Sequence, residues 1–501
     1  MLINRKIKGC CNKRNAPIFF DFSIFLWFII SMNLNESKPI YLDPGKVVVV
    51  ILALFGMALL IFSQTINQSG AIFLAAIVFL LAAFSLFPQA GLYLTILALP
   101  LINWDFYARG LVIPAVDLVA AIALIGFLFR SLADRLFSTT IKVKIILPYF
   151  KYFLIFFIVA LVSSIISKYP LEAIWYTLRW ILFFYLAYVV VPVNIITTEK
   201  RLRYSIILLV ISASAVALMG LASLFFQDWQ NTFVRIQPIL LFDIYPIGQN
   251  QNLIAEFLVV VVFAVLALKY WRGTVLRNKL ITIFSIVLAV VALGTFSRAA
   301  WIALALGLFL YFIYQSKEFK RRYIIPALLS LIFIVPFAFY MVKLQSQFDI
   351  GVSSTENRLL LTQISVQAFK DEPFFGKGSG MFYRLVEENI RFRAKYGEPL
   401  DSHGMWQKVL AENGALGVIS FAAFCLVLFW SIHRGLMFLR PKRELKLVLP
   451  LVLGALAGFV FQIFNTSYYK GKMWLPIGLV LAAIYLFTNK KDYLSYGKEK
   501  N

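Results

Sequence analysis

Residues 204–226 read YSIILLVISASAVALMGLASLFF, an uninterrupted apolar run of 23 residues. Lys200, Arg201 and Arg203 precede it, and the loop that follows, 227–252, carries a single basic residue, Arg235. Roughly 20 apolar residues are enough to cross the hydrocarbon core of a bilayer as a helix. Basic residues gather on the cytoplasmic side of such spans. The stretch is therefore a membrane helix with its start inside the cell and its end outside.

The same pattern repeats along the chain. Apolar runs occupy 46–63, 70–87, 90–102, 111–129, 146–166, 173–192, 204–226, 253–268, 280–294, 299–314, 323–342, 414–432, 447–464 and 473–487, with a weaker one at 18–32 that carries Asp21. Basic clusters fall in every second gap: 130–145, 199–203, 269–279, 317–322, 434–446 and 490–500. The intervening gaps, including 227–252 and the long 343–413, then face outward. The fold expected is an all-α polytopic membrane bundle of about 12–14 helices, 90–102 being short for a crossing. Its parts are a cytoplasmic segment 1–45, membrane helices over 46–342, an extracytoplasmic loop 343–413, and C-terminal helices with a cytoplasmic tail over 414–501.

Composition agrees. Hydrophobic residues make up 61% and charged residues 14%, against about 25% charged in soluble domains. The net charge of +24 would point to nucleic acid in a soluble protein. Here the basic residues lie in the short gaps between spans, so the lipid bilayer is the expected partner and nucleic acid is not. The start of the chain is basic over 1–17 and apolar over 18–30, but no small-residue cleavage site follows, so it reads as an uncleaved cytoplasmic end. Cys10, Cys11 and Cys425 form no metal or disulfide pattern, and no metal or cofactor is expected.

The outer gaps hold the residues with chemical potential. His403 stands in Asp401-Ser402-His403-Gly404, just before a helix; an imidazole is a natural general base near neutrality. Arg298 lies in Thr295-Phe296-Ser297-Arg298 between two apolar runs. It either snorkels to the headgroups or grips an anion through its planar fork. Arg235 is alone in its loop. Arg358 follows Ser353-Ser354-Thr355-Glu356-Asn357, which reads as a helix N-cap region, and short helices are expected around 356–370 and 381–394. The glycines of Gly376-Lys377-Gly378-Ser379-Gly380 lack the spacing of a nucleotide loop and read as a tight turn against the membrane. Asp105 is a lone outer carboxylate, and His433 sits at a cytoplasmic helix end.

In order and placement these residues resemble the bacterial O-antigen ligase and polysaccharide polymerase family. Ser297-Arg298-Ala299 opens a helix, Pro373-Phe374-Phe375-Gly376-Lys377-Gly378-Ser379-Gly380 lies in the long outer loop, and His403 precedes Gly414-Ala415-Leu416-Gly417 by eleven residues. Gly404 stands where that family usually has asparagine. The resemblance covers about 230–425. It implies metal-independent glycosyl transfer from an undecaprenyl-diphosphate-linked oligosaccharide to a glycan or other hydroxyl acceptor. It places the protein in the cytoplasmic (inner) membrane, working outward with other polysaccharide assembly proteins. By the same resemblance, Arg235 and Arg298 hold the diphosphate, Arg358 supports the loop or the phosphate, and His403 activates the acceptor hydroxyl. Repeat-unit polymerisation is the favoured reaction; the alternatives are ligation of the glycan to another acceptor, and transport of lipid-linked sugars.

Overall fold

The computed structural model describes residues 68–488, apart from 109–110, 138–144, 230–232, 242, 272–273, most of 316–349 and 466–468. The apolar runs at 18–32 and 46–63, most of that at 323–342, and Cys10 and Cys11 lie outside the described residues, as does the side chain of Asp105.

The chain is a bundle of apolar helices: α1 (Gln68–Leu86), α2 (Pro88–Ala98), α3 (Ala115–Phe137), α4 (Phe150–Ile165), α5 (Pro170–Ile195) and α6 (Glu199–Ala222) come first. There follow α7 (Asn252–Ala267), α8 (Val275–Leu293), α9 (Arg298–Ile313), α10 (Ile350–Asp371), α11 (Phe382–Glu387), α12 (Ile390–Tyr396), α13 (Met405–Leu439), α14 (Leu445–Ile463) and α15 (Gly471–Phe487). Seven helical stretches among the described residues are long and apolar enough to cross a membrane, and four more apolar helices are shorter. On α8, Ile283, Ile286 and Val290 stand more than half exposed along one flank. A contiguous apolar flank of that kind is stable against acyl chains and a liability in water.

Burial ranks the helices. α7 is covered on nearly every side, as expected of an all-apolar helix in the middle of a bundle. It packs on α14, where Gly454 and Gly458 are spaced one turn apart; a Cβ at Gly454 would collide with the carbonyl oxygen of Val260. Small residues at such spacing let two membrane helices approach closely enough for dispersion contacts to hold them, since lipid supplies no hydrophobic drive between helices. A second seam is aromatic. Phe153 of α4 stacks on Tyr185 of α5 at 4.0 Å, Phe184 of α5 on Trp474 of α15 at 4.3 Å, and Phe156 of α4 meets Phe421 of α13 at 4.9 Å.

Two features depart from the sequence expectation, and a third, the shortness of α2, agrees with it. The run starting at 111 begins as a strand: Asp105–Ala108 pairs antiparallel with Leu111–Pro114 before α3 starts at Ala115. α2 has 11 residues, about 17 Å of helix at 1.5 Å per residue, against a core of roughly 30 Å. α10 begins at Ile350, so Ser353–Asn357 lies inside the helix and not at its start. α5 also winds as a π-helix over Thr177–Leu182 and Phe184–Val190, a wide winding that is rare and frequently sits at functional sites.

Between α9 and α13 the chain folds into a small body of its own. Leu361, Ile364 and Ala368 of α10 pack on Phe382 and Val386 of α11, Phe392 of α12 and Ala411 of α13. Lys168–Glu388 and Arg384–Glu172, both at 2.9 Å, join this body to the α4–α5 turn. These pairs are exposed, so solvent screening leaves each of them little weight in stability.

Candidate functional site

α13 is broken where its sequence has Gly414, which takes φ 64° and ψ −162°. The break leaves carbonyls without their helical partners, and the Pro373–Gly380 segment fills the gap. Lys377 N–H donates to Ala411 O at 3.0 Å and Gly378 N–H to Glu412 O at 2.9 Å. In return Ala415 N–H donates to Pro373 O at 2.8 Å and Leu416 N–H to Phe374 O at 3.2 Å. A Cβ on Gly376 would run into the Glu412–Asn413 peptide. Gly376, Gly378 and Gly380 all take positive φ in a tight turn; a Cβ on Gly378 would meet the Ser167 side chain and one on Gly380 the Tyr176 ring, so the segment is pressed against α5 and its approach as well as against α13.

That splice fixes the start of α13, and with it His403. Ser402 is fully buried; its hydroxyl donates to Gly404 O at 2.9 Å and accepts from Gly404 N–H at 3.2 Å. The neighbouring Asp401 accepts from Lys408 through both oxygens, at 2.8 and 2.7 Å, and Lys408 also lies 3.7 Å from Glu412. Lys408 is 3% exposed and Glu412 is fully enclosed. Charges so buried persist only when each has a partner, and here every one does. Lys408 further lies over the rings of Tyr176 and Tyr469, at 5.6 and 5.2 Å.

Arg358 reaches His403 from α10. The two turns are tied by Gln407, whose amide donates to Thr362 Oγ1 at 2.7 Å while Thr362 donates to Arg358 O at 2.7 Å. Arg298 completes the group from the first residue of α9. Burial lowers the Arg358 pKa from its ordinary value, and the positive charge of Arg298 lowers it further. His403 is also held below its usual value, first by burial, then by the Arg358 charge, with Asp401 opposing. Arg358 still carries its charge, because guanidinium pKa values start so high. Its buried Nε has no hydrogen-bond partner among the described residues.

The turn that presents Arg298 is tight and strained. Phe296 adopts φ 55°, uncommon for a bulky side chain. Thr295 Oγ1 donates to Ala292 O at 2.7 Å and accepts from Ser297 N–H at 3.3 Å, so this hydroxyl serves the turn itself. The Arg235 strand lies alongside: Ile236 N–H donates to Gly294 O at 2.8 Å, and Phe233 meets Phe296 edge-on at 5.0 Å. Gln227 brackets Arg235, donating to its carbonyl at 2.7 Å and accepting from its N–H at 3.0 Å. Burial lowers the Arg235 pKa as well. Arg358 therefore feels the charge of Arg298, and His403 feels that of Arg358, whereas Arg235 is tied to the Arg298 turn through its neighbours Ile236 and Phe233.

Residues 283–422 match the family model described as O-antigen ligase. The chain carries an O-antigen ligase domain. The matched stretch contains Arg298, Arg358, His403 and the whole splice around Gly414, and leaves Arg235 outside. This domain is of the glycan-transferring, ligase or polymerase type, and the helices around it make the chain a multi-pass membrane protein. None of the curated proteins compared with the chain matches it. Among the described residues no three His, Cys, Asp or Glu side chains gather into a set that could hold a metal ion.

Sequence reading missed Lys408 as the group that holds Asp401 beside His403. The signal was present: Lys408 and Glu412 are four residues apart at the start of an apolar helix, where unpaired charge is costly. The side chains of α5, Arg179 and Trp180 among them, were missed too, because a π-helical winding leaves no mark in hydropathy.

Proposed function

We propose that this O-antigen ligase domain transfers a glycan from undecaprenyl diphosphate to a hydroxyl acceptor at the outer face of the cytoplasmic membrane, without a metal ion. Repeat-unit polymerisation is the reaction we favour. The acceptor oxygen attacks the anomeric carbon of the donor sugar, the bond from that carbon to the diphosphate breaks, and the acceptor proton passes to His403. Negative charge then builds on the departing diphosphate. Arg298 and Arg358, with Arg235 beside them, meet that charge in a poorly hydrated site, where fixed guanidinium groups count for more than in water.

The observation that carries this reading is the half-buried Arg358, set between Arg298 and His403 with an unsatisfied Nε. Two guanidinium groups held together without a carboxylate between them disfavour each other and favour a dianion. A depressed imidazole pKa keeps His403 neutral, and so able to take a proton, at and below neutral pH.

The test is a gel of surface polysaccharide from a deletion strain complemented with wild type, Arg298→Ala or His403→Ala. Loss of long chains with single repeat units remaining is the expected result. Full-length chains accumulating on the lipid carrier would replace polymerase by ligase. An unaltered profile with well-expressed variants would remove the transferase reading in favour of transport. Strong inhibition of transfer by EDTA would overturn the metal-free mechanism.

A further inference from the structure

At the end of the bundle that carries His403, a second recess of about 320 Å³ opens beside the π-wound part of α5. Its volume falls at the low end of small-ligand sites, about 300–1,000 Å³. Trp180 and Tyr469 form an aromatic wall with ring centroids 5.0 Å apart, and the Arg179 guanidinium lies 4.7 Å over the Trp180 ring. Lys470 and Lys472 add positive charge, against the single carboxylate of Asp117, which accepts from Tyr188 Oη at 2.8 Å. Lys472 is 2% exposed and donates to Leu253 O at 3.2 Å.

These walls ask for three things at once in one ligand. Ring faces favour a flat patch of C–H groups. A carboxylate at the rim accepts hydroxyl donors. A surplus of cations, one of them a planar guanidinium, favours a carboxylate or phosphate substituent. An acyl chain would bring no negative charge to Arg179, Lys470 and Lys472, and a bare phosphate would leave the aromatic wall unused. A pyranose carrying an acid group satisfies all three.

The recess and the transfer site share a partition. The Tyr469 ring that lines the recess also lies 5.2 Å from Lys408 Nζ, and Lys408 holds Asp401 next to His403. A glycan seated in the recess would therefore extend toward His403 within a few sugar units.

We propose that this recess binds an acidic sugar residue of the glycan, stacked on Trp180 and Tyr469 with its acid group on Arg179 and Lys472. The proposal rests on the transferase reading above and names part of its substrate.

The test uses the purified full-length protein in nanodiscs, with trigalacturonate as probe, galactotriose as its neutral counterpart, and calorimetry as the readout. Trigalacturonate is expected to bind at least tenfold more tightly than galactotriose. Arg179→Gln should remove most of that difference, and Trp180→Ala should weaken both sugars, with Trp180→Phe restoring part of the loss. Arg298→Ala should leave the titration unchanged, which separates the recess from the transfer site. Equal binding of the two sugars, absence of binding, or indifference to Arg179→Gln would overturn the proposal. So would loss of binding in Arg298→Ala, or displacement by equimolar inorganic diphosphate. No donor is present in this titration, so failure here leaves the transfer reading standing, whereas failure of the surface-glycan assay with normal titrations would leave an acidic-sugar recess that serves no transfer.

Discussion

Two sets of buried charge lie a few residues apart, and they are built in opposite ways. Around Lys408 each charge has its counterpart: Asp401 accepts twice, Glu412 stands behind, and two tyrosine rings close the sides. Around Arg358 the nearest charged groups are another arginine and a histidine, and the Nε is left without a partner. The first arrangement is complete without a ligand. In the second, cation stands against cation, which favours a bound anion. Complete networks hold structure, and incomplete ones point to what binds.

The largest expected effect falls on the incomplete set. His403→Ala should lower transfer by about 10²–10⁴-fold, the usual worth of a positioned general base, with membrane insertion and thermal stability close to wild type. Radiolabelled donor turnover in membranes measures it. A loss below about tenfold would place the acceptor proton elsewhere.

Stability should separate the two sets next. Lys408→Met strands the enclosed Glu412 and the partly exposed Asp401; breaking a fully buried pair typically costs about 3–5 kcal/mol, so a loss toward the lower end is expected. Arg358→Met removes a half-buried cation whose Nε has no partner among the described residues, so the fold should keep its stability or gain a little while transfer is lost. Melting temperatures of the detergent-purified variants check both. Equal destabilisation would mean that Arg358 is structural, and the contrast between the two clusters would fall.

These variants also mark how far sequence could go. Span positions such as 253–268 and 447–464 were legible because an apolar helix in lipid needs no more than its composition. Arg298 and His403 stood out because charged and titratable residues are scarce between apolar runs. The splice of Pro373–Gly380 into the break at Gly414 was not legible: it depends on backbone groups some forty residues apart in a chain where glycine equally signals a turn. The N-cap reading of Ser353–Asn357 failed for a related reason. Ser, Thr and Asn favour caps when they begin a helix, but α10 already runs from Ile350, and tertiary packing overrode the local preference. Lys408 was read past because only its partners disclose its role.

A smaller effect tests the geometry of the anion site. Arg358→Lys keeps the charge but replaces a planar fork by a compact ammonium. About a tenfold drop in transfer is expected, well short of the loss in Arg358→Met. Full activity in the lysine variant would reduce Arg358 to a source of positive potential and make its orphaned Nε irrelevant.

The smallest effect concerns pH, and its sign follows from the neighbours of His403. The imidazole must be neutral to accept a proton, so transfer falls as pH drops through the pKa of His403. Burial and the Arg358 charge both lower that pKa, Asp401 opposes them, and the acid limb of kcat/KM should therefore lie below the ordinary histidine value of about 6.5. Arg358→Gln removes one of the two lowering influences and keeps the larger, burial. The acid limb of the residual activity should then move upward in pH, yet remain below the position of a solvent-exposed histidine. A limb that stays in place would mean that Arg358 does not act on His403. A limb that moves downward would contradict the arrangement outright, since losing a neighbouring positive charge can only make the imidazolium easier to form.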